Sequence, residues 1–226
     1  MSATSEPLSI DVDGKSPDDV IPPRELHHVT FKTNRLEEMM EFYEKLTGHR
    51  PTFKGKTFGA ISFDGANHRI ALLKFTGWPE LPQEQVEASA GLHHVGYEYD
   101  TLDELLHTYL RVKRAGIEPW WTVNHGPTTS FYYRDPDGHG IELQADNCGH
   151  DLERWKEIIN GPFQQNQMGI NVDPEKMVQA RARGVSEEQI GTDSYKSHGN
   201  PYAAPGYGPP GLNMPVPEGL ELPETA

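Results

Sequence analysis

The sequence contains little cysteine, little basic charge and no long apolar run. Its 226 residues include one cysteine, Cys148, which excludes a disulfide within the chain and favours a reducing compartment. Twenty lysines and arginines face 34 acidic residues, and the formal net charge of −14 disfavours binding to nucleic acid or to an anionic membrane. No segment approaches the roughly 20 apolar residues of a membrane span, and the N-terminus lacks the basic and apolar regions of a signal peptide. We therefore expect a soluble, cytoplasmic protein.

One strand-like stretch occurs twice, as LHHVTF at 26–31 and as LHHVGYEY at 92–99. A segment with helical periodicity follows each copy, with predicted capping boxes at Asn34 and Thr101. Strand-like runs separated by turns come next, TFGAISF and HRIALLKF in the first copy, TSFYYRD and HGIELQ in the second. The sequence therefore predicts an α+β fold made of two tandem βαβββ modules that arose by internal duplication.

Composition divides the chain into five segments. These are an N-terminal arm (1–23), two modules (24–80 and 88–147), a C-terminal helical extension (148–192) and a tail rich in proline and glycine (193–226). Both arms are expected to be flexible. In the extension, a helix is predicted to begin behind Asp173 with Pro174 as its first residue. The extension is interpreted as a lid, as an arm that contacts a second subunit, or as ordinary packing. A homodimer is favoured over a monomer.

Strand alternation separates the two histidines of each pair. In the first strand, His27 shares the helix-facing side with Val29 and Phe31, whereas His28 lies on the opposite face, and His94 takes the position of His28 in the second copy. In the last strand, Glu142 lies between Ile141 and Leu143, so its carboxylate also faces away from the helices. A carboxylate in such a place needs a partner, because burying an unpaired charge is costly.

Two imidazoles and one carboxylate on a common side are a ligand set for a divalent metal, with further coordination positions left open. The first copy has Ala71 where the second has Glu142, so one metal with three protein ligands, His28, His94 and Glu142, is predicted for each chain. The alternative is that His28 and His94 are ordinary hydrogen-bonded histidines. Their repetition at matched positions, 66 residues apart, favours the metal site.

The paired modules, the His-Val strand openings and the ending FYYRDPDGHGIEL resemble the vicinal oxygen chelate superfamily over roughly residues 26–146. Within it, the sequence is most similar to one-domain type I extradiol ring-cleavage dioxygenases, which open catechols such as 2,3-dihydroxybiphenyl with Fe(II) and O2. The resemblance implies the glyoxalase/bleomycin-resistance/extradiol dioxygenase fold, with His28, His94 and Glu142 as iron ligands. Mn(II) accepts the same nitrogen and oxygen ligands, so the choice of metal stays open.

The resemblance also implies roles for residues around the metal. It assigns acid–base catalysis to His68 and contact with a substrate oxygen to Tyr132. Strict strand alternation from Ala71 turns His68 away from the metal side, so His68 is expected there only if the preceding DGAN turn redirects it. His125 is a third catalytic candidate, lying either in the pocket or in solvent.

Alternatives stay open for the aromatic residues and for the function. The aromatic residues Trp120, Trp121 and Phe131 form either a wall for a planar substrate or part of the core. The leading function is cleavage of a bulky catechol by an Fe(II) dioxygenase. A metal-dependent isomerase or lyase of the glyoxalase type is the first alternative, although such enzymes usually have a fourth ligand where Ala71 stands. A metal-free binding protein of the resistance type is the second.

Overall fold

The computed structural model describes residues 19–87, 89–210 and 215–220, so most of the predicted N-terminal arm lies outside the described residues. The first module contains β1 (Val29–Thr33), α1 (Leu36–Thr47), β2 (Pro51–Lys54), β3 (Phe58–Ile61) and β4 (Ile70–Lys74). Its four strands form one sheet in the order β1-β4-β3-β2, in which β1 and β4 are parallel and the other pairs are antiparallel. This is the βαβββ unit predicted from the sequence.

The second module repeats the arrangement after a short connecting helix, α2 (Gln83–Glu87). Its elements are β5 (His94–Tyr99), α3 (Leu102–Arg114), β6 (Trp121–Asn124), β7 (Thr128–Arg134) and β8 (Gly140–Asp146). The strands follow the order β5-β8-β7-β6, so β5 and β8 pair as β1 and β4 do. The α+β fold and the internal duplication are confirmed.

The helices of the two modules bury equivalent residues in a common core. Met39 and Tyr43 of α1 and their counterparts Leu105 and Tyr109 of α3 are all at most 4% exposed. Because they recur at helical spacing, each helix presents one apolar stripe to its sheet. The two stripes belong to one hydrophobic cluster, so the modules share a core.

One of the two predicted helix caps is wrong. Thr101 caps α3 as expected, accepting a hydrogen bond from the backbone N–H of Glu104. Helix α1 instead begins after Arg35 and has no side-chain cap. Asn34 donates its amide to the carbonyl of Trp78, since the linker behind the first module returns along the start of the helix.

Polar contacts across the module boundary join the start and the end of α1 to the second module. Arg35 lies 3.1 Å from the carboxylate of Asp137, and the hydroxyl of Tyr43 donates to Asp135 at 3.0 Å. At the other end, the guanidinium of Arg111 donates to the carbonyls of Lys45 and Leu46. A cation at the C-terminal end of a helix satisfies carbonyls that have no partner within the helix.

The C-terminal extension adds a strand to the second sheet. It contains α4 (Leu152–Asn160), α5 (Pro162–Gln165), β9 (Ile170–Asn171), α6 (Pro174–Ala182) and α7 (Glu187–Asp193). Strand β9 pairs with β6, which makes the second sheet five-stranded instead of four-stranded. The added strand satisfies backbone groups that an edge strand otherwise leaves unpaired. Asp173 caps α6 and Pro174 is its first residue, as predicted.

Part of the predicted tail packs on this extension. Tyr202 and Ala203 are each 4% exposed, and the carbonyl of Tyr202 accepts a hydrogen bond from the backbone of Asp173. The prediction of a flexible tail is therefore wrong at these two residues, because burial and backbone hydrogen bonding hold them in place. None of the helices in the described part of the chain has the length and apolarity needed to cross a membrane.

Candidate metal centre

A row of side chains crosses the second sheet on the face opposite its helix. Strand pairing aligns Trp121 of β6 with Tyr132 of β7, Tyr132 with Glu142 of β8, and Glu142 with Gly96 of β5. The flanking residues of Glu142, Ile141 and Leu143, lie in the helix-side core. Glu142 thus lies on the side that strand alternation predicts, and Tyr132 lies beside it on the same face.

Glu142 is a buried carboxylate surrounded by hydrogen-bond donors. Its side chain is 9% exposed, Oε2 lies 2.9 Å from Nε2 of His94, and Oε1 accepts the hydroxyl proton of Tyr132 at 2.7 Å. Burial raises the pKa of Glu142, but hydrogen bonds from His94, Ser130 and Tyr132 outweigh burial and lower it to about 2. The site therefore contains a negative charge at neutral pH.

Gly96 leaves space next to that charge. A Cβ atom built on Gly96 would lie 3.1 Å from Oε2 of Glu142, closer than ordinary van der Waals contact. The absence of a side chain at this position lets the carboxylate lie flat on the sheet between β5 and β8.

The two histidines of the second pair contact each other. Nδ1 of His93 and Nδ1 of His94 lie 2.7 Å apart, while Nε2 of His94 faces Glu142. With His94 donating from Nε2 to the carboxylate, its Nδ1 accepts from His93. Burial and the neighbouring His94 lower the pKa of His93.

His125 extends the network toward the C-terminal extension. Its Nε2 lies 3.0 Å from the hydroxyl oxygen of Tyr132, and its ring also makes a hydrogen bond with the backbone of Met168. Burial lowers the pKa of His125, and the nearby charge of Glu142 opposes this shift. His125 is therefore half-buried beside Tyr132, and it is not among the residues that line the cavity between the two modules.

The aromatic residues pack on the two opposite faces of the second sheet. Trp121 stacks on Tyr132 with ring centroids 4.6 Å apart, and Trp120 lies beside both rings. Phe131, by contrast, is fully buried in the helix-side core, because adjacent residues of a strand point to opposite faces.

In the first module, His28 lies against His68, with ring centroids 4.6 Å apart. His68 precedes β4, which begins at Ile70, so strand alternation does not govern its direction. The turn before it has redirected the ring, as the family resemblance requires. Burial, followed by the proximity of His28 and His27, lowers the pKa of His68.

The six predicted site residues form two groups. His94, Glu142, Tyr132 and His125 are linked in the second module, whereas His28 and His68 lie together in the first. In the described ranges, two sets of three groups have all their potential ligand atoms within 4.8 Å of one another. They are His27, His28 and His68, and the exposed set Glu98, Asp146 and His150; the combination of His28, His94 and Glu142 is not among them.

A cavity of about 520 Å³ lies between the two modules. His28 lines it from the first module, and Gly96 and Glu98 line it from the second. Its volume is in the range of small-molecule sites in proteins.

Sequence reasoning missed several contributors. Ser130 donates to Glu142 and lies on the same face of β7 as Tyr132, so alternation along TSFYY was the signal for it. His27 was assigned to the helix side, but it precedes β1 and turns toward His28. The backbone contact from Met168 had no local signal, because that residue is distant in sequence.

The donors of the second module fit a divalent metal. The ionised carboxylate of Glu142 and Nε2 of His94, 2.9 Å apart, are ligand types that iron and manganese accept. Metal binding would release the proton that lies between these two atoms. A third nitrogen ligand from the first module would complete the predicted set.

The chain matches the model of the glyoxalase/bleomycin resistance protein/dioxygenase superfamily over residues 25–143. It belongs to this superfamily. It is 37% identical to biphenyl-2,3-diol 1,2-dioxygenase 2 of Rhodococcus globerulus over 169 residues, which cover 74% of this chain and 87% of that protein. Biphenyl-2,3-diol 1,2-dioxygenase 3 of the same organism is 33% identical over 175 residues, covering 77% and 90%. A solved lactoylglutathione lyase from Agrobacterium tumefaciens is 19% identical with a TM-score of 0.43, covering 55% of this chain and 96% of that one.

Proposed function

We propose that this protein is an Fe(II)-dependent extradiol dioxygenase that cleaves the ring of a catechol resembling 2,3-dihydroxybiphenyl. The observation that carries the proposal is the buried, ionised Glu142, which contacts both His94 and Tyr132. Relatives named as dioxygenases of biphenyl-2,3-diol, which cover most of this chain, support the substrate class.

In this proposal, His28, His94 and Glu142 bind the metal, with Mn(II) as the alternative to Fe(II). The metal, when bound, would bring the two oxygens of a catechol and O2 together and make electron transfer between them possible. Both atoms of O2 enter the product, so the reaction consumes no external reductant.

The remaining residues act on protons and on substrate orientation. Tyr132 is assigned to a substrate oxygen because its hydroxyl lies at the carboxylate ligand, to which it donates. His68 is assigned to general base catalysis, since its lowered pKa keeps the ring neutral and able to accept a catechol proton near neutral pH. His125 positions Tyr132 from the opposite side.

The glyoxalase-type alternative gains no support at the fourth ligand position. Ala71 pairs with Thr30 in β4 and β1, as Glu142 pairs with Gly96 in β8 and β5. Ala71 is buried and has no ligand atom. A metal-free binding protein is disfavoured because two ligand types that divalent metals accept, the carboxylate of Glu142 and Nε2 of His94, lie 2.9 Å apart.

Oxygen uptake tests the proposal directly. The protein is purified without oxygen, its iron and manganese are measured, and O2 consumption is followed with 2,3-dihydroxybiphenyl and with simpler catechols. We expect about one metal per chain and a yellow ring-opened product. Glu142→Ala should abolish both metal binding and uptake, whereas Gln144→Ala, on the same face of β8, should retain them. Metal binding without O2 consumption by any catechol would overturn the proposal in favour of an isomerase.

The proposal includes a cytoplasmic homodimer. Sedimentation velocity of the full chain tests the dimer, and fractionation of the native cells tests the location.

A further inference from the structure

Three imidazoles converge in the first module. The ring centroids of His27 and His28 are 5.3 Å apart, those of His27 and His68 are 5.1 Å apart, and those of His28 and His68 are 4.6 Å apart. Each ring offers a nitrogen, and these nitrogens all lie within 4.8 Å of one another. Nδ1 of His27 and Nδ1 of His28 are 3.1 Å apart, close to the roughly 3.3 Å that separates two nitrogen ligands of one tetrahedral zinc.

An arginine fixes the backbone that carries two of these rings. Arg69 donates to the carbonyl of His27 at 2.9 Å and forms ion pairs with Glu25 and Asp64. The segment before β1 is thereby joined to the turn that contains His68. These contacts of Arg69 hold the three rings together and leave the imidazole nitrogens free of the arginine.

A hydrogen bond also sets the tautomer of one ring. Nδ1 of His68 lies 2.6 Å from Oδ1 of Asn67, which only accepts, so Nδ1 carries the proton and Nε2 keeps a free lone pair. Histidines that bind metals commonly donate their other ring nitrogen to an oxygen in this way.

We propose that His27, His28 and His68 form a second metal site, specific for ions that prefer imidazole ligands, with Zn²⁺ as the representative ion. Three neutral histidines leave one position of a tetrahedral zinc free for water. The set contains no carboxylate, so the metal ions that it prefers should differ from those of the site at Glu142.

The second module provides a natural comparison. Its histidine pair, His93 and His94, is equally close, but the counterpart of His68 there is His139. Nδ1 of His139 lies 2.9 Å from Asp135, and its ring packs on Phe31. A pair of adjacent histidines is therefore not sufficient to form a set of three. His93 occupies the position of His27 without belonging to such a set, so it is a matched control.

The two proposed sites share His28. One neutral imidazole offers a single lone pair to a metal, so His28 cannot serve both sets at once. Zinc bound by the three histidines would withdraw one ligand from the catalytic set.

Zinc titration of a variant without the catalytic ligands tests the site. The full chain with His94→Ala and Glu142→Ala is stripped of metal and titrated with Zn²⁺ by calorimetry, with Co²⁺ absorbance as a second readout. We expect one zinc per chain. Adding His27→Ala should weaken zinc binding at least about tenfold. Removing a residue that only orients a metal ligand commonly lowers metal affinity by that factor, and removing a ligand should lower it at least as much. Adding His93→Ala should change nothing.

Three results would overturn the proposal. These are absence of zinc binding by the double variant, unchanged affinity after His27→Ala, or loss of binding with His150→Ala instead. If circular dichroism shows that His27→Ala does not fold, His68→Ala in the same background gives the same comparison. The proposal is independent of oxygen uptake, so failure of the dioxygenase reaction and failure of zinc binding are separate outcomes.

Discussion

Gly96 and Glu142 are paired in the β5–β8 ladder, and a Cβ atom at Gly96 would lie 3.1 Å from Oε2 of the carboxylate. The carboxylate reaches both His94 and Tyr132 from this position. The glycine therefore determines how the candidate ligand lies on the sheet, although it has no side chain to contribute.

Gly96→Ala should weaken metal binding by about tenfold, since the new methyl group displaces the carboxylate from His94. Chelator competition on the purified variant measures the affinity. Gly91→Ala is the control, because a Cβ atom there meets nothing within 4 Å. Equal metal affinity of Gly96→Ala and the wild type would show that the carboxylate does not depend on this space.

Tyr132→Phe should lower kcat by about 10²-fold, because it removes a hydroxyl placed at the proposed ligand Glu142 and leaves the stacked ring in position. Steady-state oxygen uptake measures the effect. The neighbouring Tyr133 is a matched control: its hydroxyl is buried on the opposite face and has no hydrogen-bond partner among the residues that the structure describes. Tyr133→Phe should keep wild-type kcat, and a similar loss in both variants would remove Tyr132 from the proposed mechanism.

The local sequence pattern was sufficient to predict which face of the sheet a residue inside a strand occupies. Alternation placed Glu142 on the face opposite Ile141 and Leu143, because side chains of a strand alternate strictly between two faces. It misplaced His27, which precedes β1, and gave the wrong direction for His68 in the turn before β4. Outside a strand, hydrogen bonds and turns decide where a side chain points.

The local sequence pattern could not predict contacts between segments that are distant in sequence. Strand β9 has two residues, too few for a recognisable period, and it exists because the edge of β6 is available for pairing. The backbone hydrogen bond between Met168 and His125 depends on the same packing. The extension was recognised as helical, but its contribution to the site could not be predicted.

Asn124 joins the second sheet to the extension and should be important for stability. It is fully buried, donates to the carbonyl of Gly191 and to Ser194, and accepts from the backbone of Gly126. Asn124→Ala removes these buried hydrogen bonds, so we expect a loss of about 2 to 3 kcal/mol in the free energy of unfolding in urea. The exposed Asn160 is the control, and Asn160→Ala should change stability by less than about 0.5 kcal/mol. Similar stability of both variants would contradict this role.

His139 should make stability depend on pH. Its Nδ1 lies 2.9 Å from the carboxylate of Asp135, and this hydrogen bond raises the pKa of His139 in the folded protein although burial opposes the shift. Because the folded pKa exceeds the unfolded value of about 6.5, the stabilisation is fully present below that pH and is lost as the pH rises through the folded pKa.

The difference in the free energy of unfolding between the wild type and His139→Gln isolates this contribution, since other titrating groups cancel. Urea unfolding of metal-free protein from pH 5 to pH 9 should give a difference that is largest at pH 5 and decreases steadily above pH 6.5. Asp137 also favours the protonated ring, so Asp137→Asn should reduce the difference without removing it. A difference that is constant with pH would mean that Asp135 binds His139 as a neutral ring.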